Sequence, residues 1–357
     1  MLPAVTFRPG TEPSGSLLGT TPINGVTPPF ADQPIQGFSG LLRYGDGTFL
    51  ALSDNGYGRQ DNSADFLLQV HLIRPTLPTG TTTVLGGFGL ADPDGHVPFP
   101  LARPDRILTG ADFDVESFQR LDDGSFWFGE EFGPFLLHTD GTGKVLEPPV
   151  PLPGVSSPQD PTAQVTPPNL GRSKGFEGMA LGPDGRLLYP LLEGRLTGDP
   201  DQDLRMYQFN TRSGRYTDRQ WRLRLEHPAN AIGDLIAVDE HRFIVIERDG
   251  GQGATARFKA LFLLDRRDRD RDGYLDKTLL VNLLAVPDPA AIGGDGAFFR
   301  FPFETIEGVV IVDDQTLAVV NDNNFPFSAG RTLGQPDDNE MIFIRLDAPL
   351  GAARRFR

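Results

Sequence analysis

The sequence predicts an all-β fold: a single β-propeller domain over residues 1–357, with six blades, five or seven being the alternatives. Three observations predict it. The apolar runs (FWFG, LLYPLL, FIVIE, ALFLLD, LAVV, MIFIRL) are short, rich in β-branched and aromatic residues, and end at Gly, Asp or Asn, which is the pattern of strands. The chain holds 42 Gly and 32 Pro in 357 residues, a composition that favours turns over long helices. One hairpin pattern recurs along the chain, and a recurring supersecondary unit is the signature of a repeat architecture.

The hairpins follow in order. FSGLLRYGDGTFLALSDN starts at Phe38, turns at Gly45-Asp46-Gly47 and ends at Asp54-Asn55. VESFQRLDDGSFWFGEE starts at Val115, turns at Asp122-Asp123-Gly124 and ends at Glu130-Glu131. FEGMALGPDGRLLYPLLE runs from Phe176 through the turn Gly182-Pro183-Asp184-Gly185 to Glu193. GDLIAVDEHRFIVIER runs from Gly233 through Asp239-Glu240 to Glu247-Arg248, and IEGVVIVDDQTLAVVND from Ile306 through Asp313-Asp314 to Asn321-Asp322. Glycine in these turns supplies the positive φ a tight hairpin needs. The first polar residues of the hairpins, Ser39, Glu116, Glu177, Asp234 and Glu307, are 77, 61, 57 and 73 residues apart. Dividing the chain by about 60 residues, a four-stranded blade with long loops, gives about six blades. The sixth is expected to join Met341–Leu346 to Val5-Thr6-Phe7, closing the ring with strands from both ends and so removing exposed edges. Pro-rich stretches at Thr20–Pro34, Asp92–Pro104, Glu147–Pro168 and Pro287–Pro302 read as loops capping one face, because the repeat continues on both sides of each.

Composition narrows the function. A net charge of −15 argues against a nucleic-acid partner and suits a protein that binds divalent cations. With no cysteine there is neither disulfide nor thiolate chemistry. No apolar run approaches the ~18 residues of a membrane span. MLPAVTFRPG does not read as a signal peptide. No GxSxG elbow, Walker A loop, GxGxxG or HExxH motif is present; Gly37-Phe38-Ser39-Gly40 lacks the elbow's spacing. The five histidines, His71, His96, His138, His227 and His241, are scattered and read as structural or solvated, and Phe126 and Trp127 as packing between blades.

The repeat gathers carboxylates. If each hairpin is the inner strand pair of a blade, its first and last residues lie at the same end. Ser39, Glu116, Glu177, Asp234 and Glu307 then converge on one channel mouth, ringed by Asp54, Asn55, Glu130, Glu131, Glu193, Glu247, Asn321, Asp322 and Asn323. Like charges that close raise one another's pKa unless a cation sits among them. Ligands that offer only oxygen point to a hard cation, Ca²⁺ before Mg²⁺. The expected central metal ligands are Glu116, Glu177, Asp234, Glu307, Asp54, Asp322 and Asn321. Glu131 or Glu193, free of metal, would act as general base, and Arg248 and Lys174 flank the mouth as holders of a substrate oxygen or as counter-ions. The glycine after Glu177 and Glu307 would keep the backbone slim near the axis.

These residues also carry a resemblance. GFSGL (37–41), LSDNG (52–56), DFDVES (112–117), FWFGEEFGP (126–134), KGFEGMA (174–180), LLE (191–193), IGDL (232–235), IVIERDG (244–250), ETIEGV (304–309) and VNDNNF (320–325) together resemble the phytase-like domain proteins, a family known by an esterase-like activity of phytase. The resemblance implies a β-propeller whose Glu and Asp residues hydrolyse phosphoesters or esters, and a secreted or periplasmic location. The layout is also similar, in architecture alone, to calcium-dependent six-bladed hydrolases of the lactonase and paraoxonase type, which place their metal in the central channel.

A second calcium signal is separate. Asp268-Arg269-Asp270-Arg271-Asp272-Gly273-Tyr274-Leu275-Asp276 reads DxDxDGxxD. Asp268, Asp270 and Asp272, the Tyr274 carbonyl and Asp276 can wrap one Ca²⁺, with Gly273 for the sharp turn, although Leu279 stands where an EF-hand has its last Glu. The interleaved arginines allow the alternative of a solvated charged run. The sequence thus leads to a monomeric calcium-dependent hydrolase of a small-molecule phosphoester. A lactone or aryl ester is the alternative substrate, and a calcium-stabilised binding scaffold the non-enzymatic reading.

Overall fold

The computed structural model describes residues 1–77, 79–293 and 296–356. Gly294 and Asp295, within the predicted Pro287–Pro302 loop, lie outside the described residues. Among those described, helix is confined to three three-residue 3-10 turns, Ser16–Leu18, Gly253–Thr255 and Arg354–Phe356. The rest is strand and loop, arranged as a β-propeller.

Among the described residues there are five blades. Each is an antiparallel meander that starts at the channel: Phe38–Gly45, Val115–Arg120, Phe176–Leu181, Ala231–Ala237 and Thr305–Asp313 are the inner strands of blades 1 to 5. Blades 1 to 4 have four strands and blade 5 three. The outer strand of blade 2, Val150–Pro151, has only two residues. The core is split among the blade interfaces. One apolar cluster joins blades 1 and 2 (Leu52, Val70, Phe118, Phe128) and the next joins blades 2 and 3 (Trp127, Leu136, Met179, Phe209). The others join blades 3 and 4 (Tyr189, Met206, Val245, Phe262), 4 and 5 (Ile244, Leu261, Val309, Val319), and 5 and 1 (Val320, Ala318, Phe38, Leu41). That last cluster closes the ring.

The described residues therefore form no sixth blade, and the material expected for it is used differently. Met341–Arg345 pairs with Thr316–Asp322 as the third strand of blade 5. Phe7–Arg8 pairs instead with Gln33–Pro34, and Phe7 packs on Phe30 and Phe325. The N-terminal segment reaches blade 5 through the bridge of Leu2 to Asn339, the Ala4 N–H on Asp338 and the packing of Leu2 with Ala318 and Val320. Dividing the whole chain by a blade length overcounted, because the first 37 residues serve as an arm rather than as a blade. The four Pro-rich stretches precede the inner strands of blades 1, 2, 3 and 5, so all approach the end at which those strands begin.

One irregularity recurs. Every inner strand carries a β-bulge at its second or third residue: at Ser39, Glu116, Glu177 and Glu307, and in blade 4 between Ile232 and Leu235. A bulge adds one residue to one strand and re-aims its side chain.

Candidate functional site

The bulges set the first ring of the site. In blade 3 the register runs Phe176 to Leu192, then Gly178 to Leu191, leaving Glu177 without a partner. Ser39, Glu116 and Glu307 are extruded in the same way. In blade 4 the register places Gly233 where the others hold the bulged residue, and Asp234 where blades 1, 3 and 5 hold Gly40, Gly178 and Gly308.

That following position faces the next blade, not the axis. A Cβ on Gly178 would lie 2.8 Å from the Leu235 nitrogen, and one on Gly40 2.9 Å from Phe118. Ser117, at the same place in blade 2, donates its hydroxyl to the Phe176 carbonyl at 3.1 Å. Asp234 likewise turns sideways, accepting the N–H groups of Leu235 (2.7 Å) and Val309 (3.0 Å) in the neighbouring blade. Burial pushes its carboxyl up to about 8 against those two bonds. Asp234 thus joins blades 4 and 5, and the glycine is needed for contact between blades.

The second ring comes from the end of the second strand. Glu131 donates its N–H to the Asp114 carbonyl at 2.9 Å, Glu193 to Gly175 at 2.8 Å and Asp54 to Gly37 at 3.1 Å. Register puts Arg248 opposite Ala231 and Asp322 opposite Thr305 at the equivalent places. Alternation sends the preceding residue away from the channel. Glu130 accepts the N–H groups of Phe132, Gly133 and Phe135; Glu247 accepts from Glu226 and Asn230. Asn321, expected among the metal ligands, donates to the Asp338 carbonyl and accepts the Glu340 N–H, so both ends of its amide are spent on the backbone. Asn323 is similarly used, by Gly37 and Asp337.

The mouth is therefore lopsided. On the side of blades 2 and 3, Asp114, Glu116 and Glu131 bring one oxygen each within 4.8 Å of one another, and so do Glu131, Glu177 and Glu193. Glu131 belongs to both groups. Asp114, Glu131 and Glu177 are 2%, 4% and 4% exposed, and Asp114 Oδ1, Glu131 Oε1 and Glu177 Oε1 lack any hydrogen-bond partner. Burial raises Asp114, Glu116, Glu131 and Glu177; side-chain hydrogen bonds oppose it at Asp114, whereas Glu193 and Asp114 raise Glu131 further and Asp114 and Glu177 raise Glu116. Glu177 is raised by burial, Glu307 and Glu193, with Arg248 opposing.

Across the mouth, Arg248 bonds Glu307 at 2.7 Å and stands 3.8 Å from Glu193 and 3.9 Å from Glu177. The other Glu307 oxygen accepts from Ser39 at 3.3 Å. Burial opposes the Arg248 charge, but Glu307, Glu193 and Glu177 more than restore it. Lys174 bonds Glu193; burial lowers its pKa, and Glu193 and Glu131 outweigh that to raise it. Asp54 and Asp322 flank Gly37, where an added Cβ would sit 2.5 and 3.5 Å from their Oδ1 atoms. Burial, then Glu307, pushes Asp322 up to about 8; burial, then Asp322 and Asp114, raises Asp54.

The expected residues are thus divided rather than pooled. Glu116, Glu177, Glu131 and Glu193 meet on one side; Glu307, Arg248, Asp54 and Asp322 lie opposite; Asp234 and Asn321 are structural. Asp114, inside DFDVES, was not singled out. Its position two before the bulge holds Gly37, Gly175, Ala231 and Thr305 in the other blades, so no repeated acid marked it. The approach of blades 2 and 3 rests on Gly175, whose Cβ would lie 2.5 Å from the Glu131 Cα. Away from the mouth, Asp268, Asp270 and Asp276 also bring oxygens within 4.8 Å. Asp272 instead accepts the Tyr274 N–H and faces Arg224. The Tyr274 hydroxyl donates to Asp203.

The family model of phytase-like proteins, described as "Esterase-like activity of phytase", matches residues 33–325. The chain belongs to the phytase-like family. An "Uncharacterized secreted protein" of Arthroderma benhamiae is 32% identical over 104 residues, 24% of this chain and 20% of that one. Among solved structures, a GH43 β-1,3-galactosidase is 11% identical with a TM-score of 0.49, the match covering 96% of this chain and 59% of that one. An exo-β-1,3-galactanase of Phanerochaete chrysosporium is 12% identical with a TM-score of 0.48, covering 89% and 62%. The chain spans a fifth of the length of its curated relative and less than two thirds of these two structures. No helix among the described residues is long and apolar enough to cross a membrane.

Proposed function

We propose that this phytase-like protein is a calcium-dependent hydrolase of small phosphoesters, acting at the acidic mouth of the propeller channel. One observation carries the reading: three buried carboxylates, Asp114, Glu131 and Glu177, each keep an oxygen without a hydrogen-bond partner, within groups whose ligand atoms lie within 4.8 Å of one another. Unpaired buried acceptors are rare and costly, and an all-oxygen donor set of this size suits Ca²⁺. A cation held there would polarise a substrate oxygen and stabilise negative charge developing on it.

The chain's own groups divide the remaining work. Glu131 and Glu193, expected from the sequence as bases, are better suited to hold the ion, since both belong to the carboxylate groups. Asp54 and Asp322 stand outside them and are the carboxylates left to move a proton. Arg248 and Lys174 border the mouth and hold the carboxylates in place through Glu307 and Glu193. The family's esterase-like description supports hydrolysis, and a secreted or periplasmic setting supplies calcium.

A second reading has one observation in its favour. Arg248 and Lys174 are both already paired with glutamates, so a single Ca²⁺ leaves little positive charge for a phosphate, and a neutral ester or lactone would fit better. The test is turnover of aryl phosphate mono- and diesters, aryl acetates and γ-lactones by protein stripped with chelator and then reloaded with Ca²⁺. Calcium-restored phosphoester hydrolysis that Asp322→Asn abolishes supports the proposal. Restored activity on carboxylic esters or lactones alone selects the second reading, and no turnover with calcium bound selects a scaffold.

A further inference from the structure

The two carboxylate groups share one member and differ in one respect. Asp114, Glu116 and Glu131 have no Lys or Arg within ion-pair distance among the described residues; Glu131, Glu177 and Glu193 have Lys174 on Glu193 and Arg248 within 3.9 Å of Glu177 and Glu193. Both groups are made of residues more than nine-tenths buried. Each contains at least one oxygen without a hydrogen-bond partner: Asp114 Oδ1 in the first, Glu177 Oε1 in the second, where Arg248 stands 3.9 Å away, and Glu131 Oε1 common to both.

From this we infer that the mouth is a two-ion centre bridged by Glu131, with one tightly held ion and one weakly held, exchangeable ion; the inference rests on the calcium reading above. The first group offers three carboxylates to the ion, none of them ion-paired to a protein cation among the described residues, Lys174 acting on Glu131 only from beyond ion-pair distance. In the second, Lys174 already occupies Glu193, and an arriving ion must displace that ammonium and tolerate Arg248 at close range. Like charge at that distance weakens binding strongly in a buried site, so the two affinities separate by about tenfold or more. Glu131 is placed for this, since it brings an oxygen within 4.8 Å both of Asp114 and Glu116 and of Glu177 and Glu193. The asymmetry also answers the shortage of positive charge. The second ion binds best when a phosphate arrives with it, because the anion offsets Arg248 and the released Lys174. The exchangeable ion therefore belongs to the substrate-bound state, and it selects a doubly charged phosphoester over a neutral ester.

The test uses full-length protein carrying Asp268→Asn and Asp270→Asn, so that the loop cannot contribute. Ca²⁺ is titrated calorimetrically and the bound ions counted by native mass spectrometry, with and without inorganic phosphate. The expected result is two ions, affinities about tenfold or more apart, and phosphate strengthening only the weaker. Lys174→Gln should tighten the weaker step and leave the tighter unchanged, whereas Glu116→Gln should remove the tighter. One ion in the mouth overturns the two-ion centre and leaves the calcium reading standing. Two ions of equal affinity, or a weaker step that Lys174→Gln does not move, overturn the asymmetry. No ion in the mouth overturns both.

Discussion

Glu131→Gln should make the protein more stable without metal and less stable with it. Glu131 is 4% exposed, one oxygen is unpartnered, and Glu193 and Asp114 add like charge. An unsatisfied buried charge costs at least ~1–3 kcal/mol, and the neutral amide of equal size removes it. With an unfolding entropy of ~2.1 cal/mol/K per residue, 1 kcal/mol moves the Tm of a chain this long by about 1.3 °C, so the metal-free variant should melt ~1–4 °C above the parent. Calcium at about a hundred times its Kd adds ~2.7 kcal/mol per occupied site, an increment the variant loses because Glu131 serves both groups. Differential scanning fluorimetry in chelator and in Ca²⁺ should therefore show the melting order inverting. A variant that melts below the parent in chelator, or gains as much from calcium, would refute the reasoning.

Other outcomes follow from the same geometry. Gly175→Ala puts a Cβ 2.5 Å from the Glu131 Cα; denaturant unfolding should show a loss of ~1–3 kcal/mol together with weaker calcium binding, while Gly250→Ala, with nothing within 4 Å, should change stability by less than about 0.5 kcal/mol. The Asp322 carboxyl is raised to about 8 from 3.8; a raised folded-state value means its stabilisation is complete below about 3.8 and is lost as pH rises toward 8. Metal-free protein should thus weaken across that window by up to ~1.4 kcal/mol per pH unit, and Asp322→Asn should flatten the slope in chemical denaturation. Arg248→Met leaves Glu307 and its neighbours uncompensated and should cost ~3–5 kcal/mol in chelator, partly recovered in calcium. Asp270→Asn should lower the bound-calcium count by one and leave turnover unchanged, as measured by equilibrium dialysis and the phosphoester assay.

How much of this was legible in the sequence can be judged residue by residue. The five hairpins, their turns and the positions of Ser39, Glu116, Glu177 and Glu307 were readable because the repeat preserves them. The structure adds that each such position is a β-bulge, which period-two patterning does not reveal. Asp234 was misplaced because alignment by residue type set an acid on an acid, whereas hydrogen-bond register sets Gly233 there. Asn321 was assigned inward because strand ends in acidic pairs leave the facing parity open; the register with the inner strand decides it. Asp114 was missed because comparison across blades finds what recurs, and a site on one side of a ring depends on what does not. The blade count failed for a similar reason: the N-terminal arm and the long loops carry chain length that is invisible as such until pairing is known.

The most direct test of the central claim is anomalous diffraction from crystals grown with calcium, collected where the ion scatters anomalously. The account predicts density among Asp114, Glu116, Glu131, Glu177 and Glu193, with any peak at Asp268–Asp276 additional to it. Calcium confined to the loop, with the mouth holding only water, would contradict it.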